Sequence, residues 1–167
     1  MSALLRNLVT VLLALMRYGS AKPLATVVCK FWVSPFDVGI TKLKSDRVAQ
    51  LAEAAQFDYL MQTGLMGTLI KQRYAFVNAA QMVQFKQAIK LFSMVTMHTR
   101  VVFADDKWVY FEHTLYASGA ACAQVWVKMK FKKDRVTVNP GTLLGTQQLV
   151  KPAYLTAWDD MLASINN

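Results

Sequence analysis

The stretch Arg47–Gln62, RVAQLAEAAQFDYLMQ, limits what this chain can become more than any other part of it. Val48, Leu51, Ala52, Ala55, Tyr59 and Gln62 recur at helical spacing, while Ala49, Ala54 and Phe57 fill the other faces. Arg47, Glu53 and Asp58 are its only charges. A helix that is apolar all round must be enclosed, and its small residues let the enclosing element approach closely. Ser45 or Asp46 is expected to cap its start. TGLMGT, Thr63 to Thr68, is expected to end it.

The enclosing element is legible downstream. From Tyr74 the period changes to two. YAFVNAAQMVQF, SMVTMHTRVVFA, KWVYFEHTLYA and ACAQVWVKMKFK read as four long strands. In the third, Val109, Phe111, His113 and Leu115 share one face, and Trp108, Tyr110, Glu112 and Tyr116 the other. ADDK (104–107) and ASGA (117–120) supply turn chemistry. Long strands joined by short turns predict an antiparallel meander. Upstream, residues 24–33 read as one more strand, ended by Pro35, and PAYLTAWDDMLASI reads as a last amphipathic helix. The predicted class is α+β: an antiparallel sheet wrapped around a long central helix, which is the hot-dog fold.

Length favours one domain. We divide the chain into an apolar N-terminal helix, residues 1–22, and a domain over residues 23–167. The apolar core of that first segment, Leu8 to Met16, is too short to span a bilayer as a helix. Arg17 falls where a signal-peptide cleavage region should be neutral. The expectation is a retained helix that packs on the domain or makes peripheral contact with a membrane through residues 3–18. The protein is placed in the cytoplasm, with membrane association as the second expectation. Net charge is +9, which favours anionic partners. Nucleic acid is not among those expected, because the basic residues are scattered apart from KMKFKKDR, Lys128 to Arg135. Cys29 and Cys122 lie in apolar runs and read as buried reduced thiols. His98 and His113 are isolated, no metal-ligand spacing is present, and no metal site is expected.

Between the first strand and the central helix lies PFDVGITKLKSD, Pro35 to Asp46, a polar hinge with two Asp, one Ser and two Lys. FWVSPFDVGITKLKSDRVAQLAEAAQFDYLMQTGL resembles the signature of hot-dog acyl-CoA thioesterases of the 4-hydroxybenzoyl-CoA type, in a thioesterase-like branch with an apolar N-terminal helix. The later strands and VTVNPGTLLG are similar to the same branch. In that pattern a Pro-x-Asp-x-Asp turn precedes a His-x-Asn-Asn element at the helix start. Asp37 matches the first Asp, and the second, usually catalytic, falls on Gly39. The His position falls on Thr41 to Leu43, and the paired Asn fall on Ser45 and Asp46.

The resemblance implies an acyl-CoA ligand, no cofactor beyond the coenzyme A of the substrate, and a homodimer or tetramer with clefts between subunits. YAFVNAAQMVQF is the expected edge strand, with Asn78 and Gln81 near the interface. Thioester hydrolysis needs a base or nucleophile and donors for the developing oxyanion. The donors are backbone N–H groups at the helix start, reinforced by the helix dipole. Asp37 or Asp46 is the candidate base, and each has a purely structural reading, as a turn carboxylate and a cap. Glu53 reads as a buried or interface structural acid. Gly39, Ile40, Leu43, Lys44, Ser45 and Asn78 are the candidate substrate contacts. Ile40 and Leu43 would line an acyl tunnel or pin the loop to the core. Lys42, Lys44, Lys128, Lys130, Lys132 and Lys133 are candidates for the phosphates of CoA. Two functions follow: hydrolysis of an acyl-CoA with a degenerate motif, or non-catalytic binding of an acyl thioester or fatty acid as a binding or scaffold protein.

Overall fold

Helix α1, Ser45–Gln62, runs across one face of a curled antiparallel sheet and is buried along most of its length. A computed structural model describes residues 16–145 and 150–165. Its strands are β1 (Val27–Trp32), β2 (Ala75–Phe85), β3 (Met94–Ala104), β4 (Val109–Ala117), β5 (Ala120–Lys133) and β6 (Val136–Val138). The order across the sheet is β1-β3-β4-β5-β2, with β6 also on β5. This is the hot-dog arrangement that the pattern predicts. Ala52, Ala54 and Ala55 let α1 lie close to the sheet, where Tyr59 meets Phe111 edge-on at 5.2 Å. Helix α2 (Leu65–Gln72) follows at once, a short helix α3 (Gly141–Leu144) comes after β6, and α4 (Ala153–Ile165) covers the opposite sheet face.

The outer layer is fastened by one carboxylate. Asp159 of α4 accepts hydrogen bonds from Tyr110 Oη, Lys128 Nζ at 2.7 Å and Lys151 Nζ at 2.6 Å. Leu155 and Trp158 bury against Tyr110 beside it. The lysines hold Asp159 below the usual carboxylate range, against the opposing effect of burial. This corrects one expectation, since Lys128 is committed to Asp159 and lies under the Trp108 ring rather than free for a ligand.

Three further expectations change. The four long strands are not one meander: β3, β4 and β5 are consecutive, while β2 crosses to the far side of β5. Thr63 and Gly64 do end α1, Gly64 at φ 72°, but α2 starts on the next residue. The N-cap of α1 is Lys44, with no side-chain cap, rather than Ser45 or Asp46, which already lie within the helix. The edge assignment of β2 holds. Among the described residues it pairs with β5 alone, with a bulge between Asn78 and Ala80. Cys29 and Cys122 are buried and free, as expected.

Most of the expected N-terminal helix, and with it much of the segment 1–22, lies outside the described residues. The described part, from Met16, is strapped to the C-terminal end of α1. Gly19 N–H donates to Met61 O and Ala21 N–H to Gln62 O. Arg17 reaches Asp58, whose side chain is fully enclosed and also accepts from Gln62 Nε2 at 2.7 Å. Burial raises the Asp58 pKa, and Arg17 opposes that rise. No helix among the described residues is long and apolar enough to cross a membrane.

Candidate functional site

The hinge folds back on itself. Ser34 precedes a 3-10 turn, Pro35–Asp37, and the Asp37 carboxylate Oδ2 accepts from the Ser34 N–H at 3.1 Å and its Oγ–H at 2.6 Å. Asp37 is buried, and its carbonyl accepts from the N–H of Lys44. The chain between them closes into a small loop, with Gly39 N–H on Lys42 O and a bridge between Val38 and Leu43. That loop is pinned to the connection between β2 and β3. Leu43 N–H donates to Ile89 O, and Leu91 N–H donates to Thr41 O.

The pinning leaves an open groove of about 320 Å³ between the start of α1 and the end of β2. Leu43, Val48, Phe85, Ile89 and Ala123 form its apolar surface. Lys42, Ser45, Lys86 and Gln87 supply the polar lining. The N-cap residue Lys44 offers no side-chain acceptor to the first-turn N–H groups; its carbonyl takes the Arg47 N–H at 3.1 Å, and no side chain caps the positive end of the helix dipole. Among the described residues no Asp, Glu, His or Cys lines this groove. The arrangement is suited to an apolar tail beside an electron-rich carbonyl or phosphate, and no carboxylate, imidazole or thiol lines it among the described residues.

The structure thus brings Leu43 and Ser45 into the groove, with Lys44 exposed between them. Asp37 is turned into the turn it braces. Asp46 is exposed and faces Arg47 Nε at 3.6 Å. Gly39 lies on the loop without lining the groove, and Ile40, at 95% exposure, neither lines a tunnel nor pins the loop. Glu53 is exposed rather than buried. Asn78 lies at the bulge of β2, where its Oδ1 accepts from Gln56 Nε2 at 3.2 Å. Gln56 is a residue that sequence reasoning misses. It is buried on α1, donates also to Met129 Sδ, and keeps an Oε1 with no partner among the described residues. An amide among alanines on an otherwise apolar helix is the available signal. Phe85, Ile89 and Ala123 carry no such signal, because only the tertiary fold brings them to the helix start.

Removing the Asp37 carboxylate strips the buried Ser34 N–H of that acceptor. Asp37→Ala is expected to lower stability by about 1–3 kcal/mol, the usual cost when a buried donor loses its acceptor. Asp37→Asn, which retains an amide oxygen, should cost less. Urea denaturation of the three proteins checks this, and equal midpoints would show that the carboxylate does not brace the turn.

Residues 42–138 match the model of the thioesterase-like superfamily. The match begins after Asp37 and Gly39 and includes the groove-lining Leu43 and Ser45. Among solved structures, a probable thioesterase from Escherichia coli superposes with a TM-score of 0.65 at 12% identity, covering 70% of this chain and 92% of its own. The DHNA-CoA thioesterase from Staphylococcus aureus gives 0.63 at 14% identity, covering 84% and 93%. A hypothetical protein from Staphylococcus aureus in complex with CoA gives 0.60 at 12% identity, covering 81% and 94%. No curated protein matches the sequence significantly.

Proposed function

Because the chain belongs to the thioesterase-like superfamily, we propose that it binds an acyl-CoA or similar acyl thioester in the groove at the start of α1 and hydrolyses it slowly. The observation that carries this reading is the lining itself: apolar surface, two lysines and an uncapped helix start, with no carboxylate among them. The thioester carbonyl would lie at the first turn of α1, with the acyl group against Leu43, Val48 and Phe85. Lys42 and Lys86 would meet CoA phosphates. Relatives of this fold named as a CoA thioesterase, or solved with CoA, support the ligand class.

Asp46 is the accessible carboxylate next to groove-lining Ser45, and we assign residual hydrolysis to it as general base. Asp37 then acts as a positioning residue that shapes the loop. We also propose a homodimer joined along β2, which has no strand beside its outer edge among the described residues and carries no charged residue. Asn78 would then lie near the partner.

Calorimetric titration with acyl-CoAs of several chain lengths, together with thiol release, tests the reading. We expect micromolar binding, at least tenfold weaker in Lys42→Glu/Lys86→Glu. We expect slow turnover, cut about a hundredfold in Asp46→Asn, the scale of losing a general base. Binding with no turnover in the parent would favour a non-catalytic acyl-thioester protein. Absence of both binding and turnover would sink the proposal.

A further inference from the structure

The end of the molecule far from the groove has an unusual surface. It is built from the strap, residues 16–22, and from α2. Tyr18 Oη lies where a side chain on Gly67 would begin, and donates to Gly64 O, so the Tyr18 ring rests on α2. Ile70, one turn beyond Gly67, is 71% exposed, and Met16 is 85% exposed. Lys71 and Arg73, close to Ile70 in the chain, are exposed, as is Lys22 at the end of the strap. The chain has no Asp or Glu before Asp37, and none between Asp58 and Asp105. Asp58 is enclosed against Arg17. Asp134, on the β5–β6 turn near Tyr74, is flanked by Lys133 and Arg135. From Met16 the sequence continues toward its N-terminus through Leu8 to Leu15, uncharged and apolar apart from Thr10, and then Arg6.

We propose that this end docks on a lipid surface containing anionic headgroups, with α2 and the strap facing the bilayer. Exposed apolar side chains and exposed cations carried at this same end, with exposed carboxylates absent from both contributing segments, match the two demands of such a surface: apolar burial and headgroup attraction. The strap and α2 lie at the C-terminal end of α1. The groove lies at the other end of that 18-residue helix, about 27 Å away at about 1.5 Å per residue. The docking face and the groove therefore sit at opposite ends of α1. This proposal does not depend on the acyl-thioester reading.

Co-sedimentation of the full chain with phosphatidylcholine vesicles, and with vesicles in which a third of the lipid is phosphatidylglycerol, tests it. The parent is expected to pellet with the anionic vesicles, less so as salt is raised, and to stay in solution without vesicles. Lys71→Glu/Arg73→Glu is expected to bind at least tenfold more weakly, since each basic residue near such a surface contributes about 1 kcal/mol. Ile70→Ser is expected to weaken binding too. Lys86→Glu/Lys90→Glu, the same charge change at the groove end, is expected to bind like the parent. Circular dichroism confirms that each variant is folded. The proposal is overturned by a parent that ignores anionic vesicles or pellets alone. It is equally overturned by a Lys71→Glu/Arg73→Glu protein that binds like the parent, or a Lys86→Glu/Lys90→Glu protein that loses as much.

Discussion

Gly39→Asp is expected to raise acyl-CoA hydrolysis by about a hundredfold, the contribution of a positioned general base. The usual second carboxylate of the resembled turn is missing at this position. The local geometry permits its return. An added Cβ at Gly39 meets nothing within 4 Å, and its backbone is outside the left-handed region that would strain an Asp. Its N–H already holds Lys42 O, so the loop should keep its shape. The new carboxylate would stand on the loop that carries groove-lining Lys42 and Leu43. Acyl-CoA affinity should barely change, because the apolar surface, the helix start and the lysines are untouched. Thiol release with Gly39→Asp, and with Gly39→Asp/Asp46→Asn, separates the introduced carboxylate from the proposed base Asp46. If the double variant keeps the gain, the introduced carboxylate has taken over from Asp46. If Gly39→Asp binds acyl-CoA like the parent yet turns over no faster, the thioester does not lie within reach of this loop.

Acidification from pH 7 to pH 4 is expected to cost the native state about 3 kcal/mol through His113 alone. His113 is fully buried on β4, its Nδ1 3.0 Å from Thr99 Oγ1, and its Nε2 has no partner among the described residues. Its ring stacks against Phe111. Burial lowers its pKa from 6.5 to about 3. The unfolded chain therefore takes up a proton as the pH falls below 6.5, while the folded chain refuses it until about pH 3. The stabilising contribution is complete above the unfolded pKa and is lost as the pH falls through that window. Asp58 works in the opposite direction, since its raised folded pKa favours the native state at low pH and withdraws that support as the pH rises. Comparison of the parent with His113→Phe isolates the histidine. The stability difference between them should shift by about 3 kcal/mol in favour of the variant between pH 7 and pH 4. A difference that stays constant over that range would mean that His113 becomes protonated inside the fold.

The central helix and the strands were legible because each obeys a local rule. An alanine-rich helix with few charges has to be wrapped, and Val109, Phe111, His113 and Leu115 alternate with Tyr110 and Glu112 on the opposite face as a pleat demands. The placement of β2 was not legible, since nothing in YAFVNAAQMVQF names β5 rather than β3 as its neighbour. Helix α2 was hidden by its eight-residue length and by Gly67, whose lack of a side chain makes a poor helix former but makes room for Tyr18. Within the site, Leu43 and Ser45 could be placed because they lie beside the helix start in the chain. Phe85 and Ile89 arrive from the other side of the sheet. The inward turn of Asp37 was foreshadowed only by Ser34 three residues before it, a spacing that permits mutual capping.

The crossing of β2 also sets an order of events during synthesis. Ala75 finds its partner in Lys132, and Phe85 finds Ala123, so this strand leaves the ribosome long before β5 exists to receive it. β3 and β4 can zip together across their short turn while β2 waits. Over that interval an eleven-residue run without one charged side chain has both of its edges bare. Non-local pairing of this kind slows folding and lengthens exposure to neighbouring nascent chains. The yield of native protein in a cell would then depend on how quickly β5 is translated, and slow codons between β2 and β5 would favour aggregates over finished molecules.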